Sequence, residues 1–358
     1  MTDSSPLQTF TTGDATPVGV SQIERELRAL WRHGAESERV ARACLFNLIA
    51  WCESESDREV ITKTIGGLTR RHPCRAIVLL AEPERAEPLL EAAISAHCHL
   101  AGGGRGHVCS EQISIRAAGE SVAQLAPTVF SLVESDLPTV LWWRGNFLES
   151  QDFFRRLLTA TDRVIFDSAR WPDAECWLPV LAAEIHGTPP PVFADLNWTR
   201  LTLWRKLTAD CFDDPAFRVV LPRLERVCVS HGGGAGARLR ALLYAGWLAD
   251  KLGWPPRDAA ARFMFRQCSG RDVAEIGIES VELCAADARI LLRKNFEAHT
   301  ATAMMTMPDV CRLARQQAFA ALSETALLAQ ELDHVAPHAA YERALASASA
   351  MATGKSAA

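Results

Sequence analysis

The 358-residue chain is poor in several features, and each shortage excludes a class of protein. No apolar run approaches the ~18 residues that a membrane-spanning helix needs, so a membrane location is not expected. The eleven cysteines include no C-x-x-C pair, the spacing of many zinc and thiol-exchange motifs. Most cysteines, such as Cys44, Cys228 and Cys284, lie in apolar stretches as reduced core residues do, so no disulfide framework is expected. Residues 1–20 contain no Lys or Arg and no apolar core, unlike a signal peptide, and are expected to be a flexible leader of a cytoplasmic protein. No sign of charge dominates. The net charge of −5 does not suit a general nucleic-acid binder, which needs a concentrated cationic face. No G-x-S-x-G elbow is present, so the HGGG at 231–234 has no nucleophile to serve as a lipase-type oxyanion loop. No internal repeat is found.

What is present is an ordinary globular composition, 48% hydrophobic and 23% charged, in a chain long enough for two domains. Ser21 and Glu24 form a capping box before a helix, and a second helix is expected over 35–56 with Leu45, Phe46, Ile49 and Trp51 as its stripe. The run 75–81 after Pro73 suits a strand covered on both faces. Residues 92–119 read as two strands around a glycine-rich turn. Strands and helices then alternate to about residue 186. This is the pattern of a layered α/β domain. The prolines 189–191 mark a boundary. Beyond it come a helix over 199–211, a strand ending in HGGGAG, a helix over 237–252, an antiparallel meander within 260–303 and helical periodicity to the end. The expected fold is therefore α/β: two layered α/β domains, the second with an antiparallel meander, plus N- and C-terminal helices. The domains are placed at 21–187 and 192–335, between the leader and an Ala/Ser-rich tail at 336–358.

Candidate chemistry is sparse. Gly232, Gly234 and Ala237 match G-x-G-x-x-A between a strand and a helix, where bare N–H groups favour a phosphate. No acidic residue ends a second parallel strand there, and a plain glycine turn explains the same residues. His97 and His99 share one face of a strand, and His107 and Cys109 one face of the next. A favourable register would bring them together around Zn²⁺, but an open hairpin face explains them equally; no metal and no cofactor are expected. Cys109, close to Glu111, reads as a structural cysteine or a redox thiol. Asp213 and Asp214 close a loop before Pro215. No catalytic set assembles.

Tryptophan and arginine remain. The chain has ten Trp and only two Tyr, and several indoles lie beside Arg or Asn, as in LWWRG (141–145) and DLNWTRLTLWR (195–205). Adjacent strand residues face opposite sides, so one of Trp142 and Trp143 is expected to fill the core. The other, with Arg144, is expected at a domain junction or partner surface, where aromatic residues and Arg are enriched. Asn197, Trp198, Arg200, Trp204 and Arg205 are expected near the same junction.

These segments also carry a resemblance. DLPTVLWWRG, DRVIFDSA, DLNWTRLTLWR and YAGWLADKLGW, with HPCRAIVLL and VCSEQISI, occur in the order found in the OpcA family of glucose-6-phosphate dehydrogenase assembly proteins. The similarity runs from about residue 70 to 255. It implies a non-catalytic protein that binds glucose-6-phosphate dehydrogenase, promotes its active oligomer and raises its activity at the start of the oxidative pentose phosphate pathway. It carries over no catalytic residue. Redox responsiveness in some members adds interest to Cys109. The alternative function is a sugar-phosphate or nucleotide-binding enzyme using the Gly232–Gly236 loop.

Overall fold

The structure is a computed structural model that describes residues 15–37, 40–100, 107–149, 151–186, 191–268, 277–308, 310–319, 322–334, 336 and 338–354. Most of the expected leader, the hairpin's glycine turn at 101–106, residues 187–190 of the proline-rich boundary and the last four residues of the tail lie outside them. The chain forms two compact units.

The first unit takes Met1–Phe166, Pro190–Ala194 and Ser323–Val335. Its strands are β1 (Thr16–Val18), β2 (Val40–Arg42), β3 (Asn47–Cys52), β4 (Arg75–Glu82), β5 (Leu89–Leu100), β6 (His107–Ala118), β7 (Thr139–Trp143), β8 (Arg163–Phe166) and β9 (Val192–Asp195). Its helices are α1 (Ile23–Ser37), α2 (Glu55–Leu68), α3 (Leu125–Leu132), α4 (Gln151–Leu158) and, from far along the chain, α11 (Glu324–Asp333). The sheet runs β1-β5-β6-β4-β3-β7-β8-β9, with β2 also on β6. The successive pairs from β6 to β8 are parallel, whereas β5 and β1 join antiparallel.

Every residue of β3, β7 and β8 is buried, as expected of parallel strands covered on both faces. This corrects the helix expected over 35–56. NLIAWC is a central strand, and the following helix starts at Glu55, where the Ser54 hydroxyl caps the Asp57 amide. A short apolar run fits a buried strand and a buried helix equally well, so periodicity misleads here. Near the start of β4, Arg75 is buried against Glu111 and also reaches Glu24 of α1 at 2.8 Å. Trp31 of α1 donates to the same Glu111 at 2.8 Å, so the helix is tied to the sheet by charge and hydrogen bond together.

The second unit takes Asp167–Pro189, Asp195–Leu322 and Ala336–Ala358. It contains α5 (Leu178–His186), α6 (Leu196–Thr199), α7 (Thr202–Cys211), α8 (Pro215–Arg218), α9 (Ala235–Leu252), α10 (Pro256–Arg262) and α12 (Ala339–Gly354). Its strands are β10 (Arg226–His231), β11 (Phe263–Gln267), β12 (Ile278–Cys284), β13 (Arg289–Asn295), β14 (Thr300–Met307) and β15 (Val310–Ala318), in the order β11-β10-β12-β13-β14-β15. The expected meander is present as β12 to β15, and β11 lies parallel to β10. The helical periodicity expected for the last fifty residues begins too early, because VCRLARQQA pairs with β14 as a strand. The Ala-rich end is helix α12, which lies against α9 at very short range. A Cβ on Gly246 would fall 2.1 Å from the Ala344 carbonyl oxygen.

Candidate functional site

In the first unit the chain leaves β3 for β4 on one side and later returns to β7 on the other. Such a reversal of strand order opens a crevice at the carboxyl ends of the strands, where open α/β sheets usually bind ligands. Here Trp51, next to last in β3, and Trp143, last in β7, stack their rings at 4.7 Å with 12° between planes. Phe153 stands 4.9 Å from Trp51, and Phe154 meets Trp143 edge-on at 5.2 Å. The Glu53 carboxylate lies against Gly145, where any Cβ would fall 2.0 Å from Oε1. Glu55 and Asp57 occupy the first turn of α2, the place of a phosphate in a dinucleotide site. Arg144 completes the closure. Only 5% exposed, it donates Nε and Nη2 to Glu324 at 3.0 and 3.1 Å and Nη1 to Asp57.

In the second unit a buried hub gathers around Asp195. Its carboxylate accepts the Ser168 hydroxyl at 2.6 Å, the Ser168 amide at 3.1 Å, the Asn197 amide at 2.9 Å and the Tyr341 hydroxyl at 3.3 Å. Asn197 donates to Ser168 Oγ and to the Gly236 carbonyl, and accepts from Arg240 Nε at 2.7 Å. Arg200 holds Asp167 by two bonds of 2.7 and 2.8 Å. Burial, and secondly the neighbouring Asp167, push the Asp195 carboxyl up to about 6. Ser168, Asp195, Asn197 and Tyr341 are each at most 1% exposed. No substrate reaches a hydroxyl so enclosed. The hub locks the 168–170 turn, α6, α9 and α12 together.

The strand–loop–helix expected at HGGGAG is present, and β11 corrects the sequence reading by running parallel to β10. It ends in Gln267, so an acidic ribose ligand is still missing. The glycines serve the chain itself. Gly232 donates to the Gly277 carbonyl at 2.8 Å, and a Cβ on Gly236 would lie 2.4 Å from the Ala169 oxygen.

The hairpin register pairs Cys98 with Cys109 and Leu100 with His107, while His97 and His99 lie opposite Ser110 and Val108. The two histidine–cysteine sets therefore occupy opposite faces of the sheet and cannot share a metal. No group of three or more His, Cys, Asp or Glu able to hold one occurs among the described residues. Cys109, read as a structural cysteine or a redox thiol, forms a disulfide with Cys98, which corrects the expectation that the cysteines are reduced. Among the described residues no helix is long and apolar enough to cross a membrane.

A family model described as the glucose-6-phosphate dehydrogenase subunit N-terminal domain matches residues 67–182, and one described as the C-terminal domain matches residues 191–345; both carry the OpcA name. The chain belongs to the OpcA family. Proteins provisionally named OxPP cycle protein OpcA are similar to it: that of Synechocystis sp. is 31% identical over 186 residues and that of Nostoc punctiforme 32% over 187. Each alignment covers 52% of this chain but only 38% and 39% of the relatives' own length. Among solved structures, a 3-ketoreductase from Actinomadura kijaniata gives a TM-score of 0.44 at 12% identity, over 85% of this chain and 95% of its own.

The OpcA segments singled out in the sequence are interior pieces of both units. Trp142 and Trp143 are both fully buried, so neither is presented on an exposed surface, because the strand that carries them is covered on both faces. Neither Trp51 Nε1 nor Trp143 Nε1 meets an acceptor among the described residues. Asn197, Trp198 and Trp204 are buried as well. Arg205 stacks 3.8 Å over the Trp198 ring, and Lys294 lies 5.4 Å from Trp204 and 4.1 Å from Phe319. Burial, and then Arg240, push the Lys294 amine down to about 7. Sequence reasoning missed Trp51, Asp167, Ser168, Asp195, Arg240 and Tyr341. One signal was available: β8 and β9 each run into an aspartate that caps the next turn.

Proposed function

We propose that this OpcA-family chain is a non-catalytic assembly factor that binds glucose-6-phosphate dehydrogenase, favours its active oligomer and so acts as an allosteric activator in the cytoplasm. The partner comes from the descriptions of the two family models. The observation that carries the non-catalytic part is the filled crevice, where Trp51 and Trp143 stack in the space a cofactor would need. The buried indoles and Arg144 would support a docking surface by holding the fold, not by touching the partner. The Gly232–Gly236 loop does not favour the enzyme alternative, since Gly232 and Gly236 approach the chain's own backbone. Redox control, under this proposal, operates through the Cys98–Cys109 bond, with the partly exposed Cys98 as the sulfur that a reductant reaches.

An activator must bind the active oligomer more tightly than its dissociated form, and differential affinities of about 1–3 kcal/mol, or roughly 5- to 150-fold, are typical. The test is dehydrogenase activity and sedimentation at low enzyme concentration, with and without this chain. A rise in specific activity with a shift to larger species is expected. Unchanged activity and unchanged sedimentation would refute the proposal.

A further inference from the structure

The six-stranded sheet has one packed face and one open face, and the register fixes the layout of both. Val229, Val281, Leu292 and Ala303 belong to the packed face and are buried. On the other face Met264, Cys228, Glu282, Leu291 and Met304 fall into one row across five strands. Met264 is 37% and Met304 50% exposed, Glu282 and Leu291 are half-buried and Cys228 is buried, so the row is an apolar stripe that opens to solvent at its two ends, with a single carboxylate in it. The row on one side holds Arg226 and Arg289, and the row on the other holds Arg266 and Arg293. All four arginines are exposed. Arg289 is paired with Glu282, whereas Arg266 and Arg293 have no carboxylate partner among the described residues.

Thioethers that repack easily, flanked by arginines, make a composition suited to a protein interface. The charge says what fits. The face is cationic although the chain as a whole carries −5. A second copy would set arginine rows against arginine rows, with only Glu282 to offset them. A single-stranded nucleic acid would be expected to stack its bases on aromatic side chains, and Phe263 and Phe265 of β11 alternate onto the other face. An acidic protein surface with an apolar centre is the complementary occupant.

We propose that this face is where the dehydrogenase docks: carboxylates on the dehydrogenase meet Arg226, Arg266, Arg289 and Arg293, and Met264, Leu291 and Met304 fill the centre. The proposal rests on the assembly-factor function above and adds the surface to it.

The experiment measures binding of the full chain to its dehydrogenase, by sedimentation and surface-immobilised titration, for the wild type, for Arg266→Glu with Arg293→Glu, for Met304→Asp, and for Arg293→Lys. Circular dichroism and melting temperature accompany each variant. The expected result is a wild-type affinity that falls as salt rises, a loss of about tenfold or more in the double variant and in Met304→Asp, and near-normal binding for Arg293→Lys, all with unchanged folding. Folded variants that bind as tightly as wild type would overturn this surface while leaving the assembly function intact. A wild type that does not bind the dehydrogenase at all would remove both. Self-association abolished by Met304→Asp would make a second copy the occupant, and displacement of the dehydrogenase by a short single-stranded DNA would make it a nucleic acid; either overturns the proposal.

Discussion

The two sheets of this protein treat their faces differently. In the nine-stranded sheet β3, β7 and β8 are buried residue by residue, and even their tryptophans and their terminal arginine are enclosed. In the six-stranded sheet β12 alternates buried and half-buried residues, and β14 alternates to the half-exposed Met304. A sheet covered on both sides can contribute shape and rigidity, but it has no free face for a partner. One covered on a single side keeps such a face. The segments that carry the family resemblance lie mostly inside the molecule, whereas the surface proposed for docking is built from methionines and arginines outside them.

The largest effect should come from breaking the closed side. Trp143→Ala removes the stack with Trp51 and the edge contact with Phe154, and should cost about 3–5 kcal/mol in denaturant unfolding. A loss below about 1 kcal/mol would mean that the crevice collapses freely or is not packed as described. Next, reducing the Cys98–Cys109 bond, which spans a sequence separation of 11, should lower stability by about 2–3 kcal/mol. The Cys109→Ser variant should then show no further response to reductant in its melting temperature.

The Asp195 hub should give a smaller effect that depends on pH. Its carboxyl is raised from 3.8 to about 6, by burial first and by Asp167 second. Between about pH 4 and pH 6 the folded chain keeps a proton that the unfolded chain releases, so this group's contribution declines as pH rises. The burden is absent below that window and complete above it. The advantage of wild type over Asp195→Asn should therefore be greatest near pH 4 and shrink toward neutrality. Melting curves of the two that stay parallel with pH would contradict the raised value. The smallest effect belongs to the open side: Met304→Ser should change stability by no more than about 0.5 kcal/mol, and a larger loss would place Met304 in a packed face.

How much of this was legible depends on how far each residue's neighbours lie in sequence. The alternation of β12 to β14 and the fully apolar run of β4 announced their faces directly. NLIAWC did not, because the five apolar residues after Asn47 carry no period that separates strand from helix. The pairing of Cys98 with Cys109 depends on a register that the long glycine turn leaves open in sequence. Trp143 stands out in LWWRG, but its stacking partner Trp51 lies in a segment whose periodicity reads as helix. Asp167 and Asp195 look like ordinary turn residues until α6, α9 and α12 gather around them.

The placement of α11 in the first unit has a consequence for how the chain is made. Residues Ser323–Val335 belong with Met1–Phe166, and they supply Glu324 to Arg144 and Glu331, 3.7 Å away, to Arg163. A nascent polypeptide emerging from the ribosome cannot finish this unit until residues 323–335 have been translated. Until then Arg144 has Asp57 to pair with but not Glu324, and Glu331 is not yet there for Arg163. Expressing residues 1–166 alone would leave both without the carboxylates of α11.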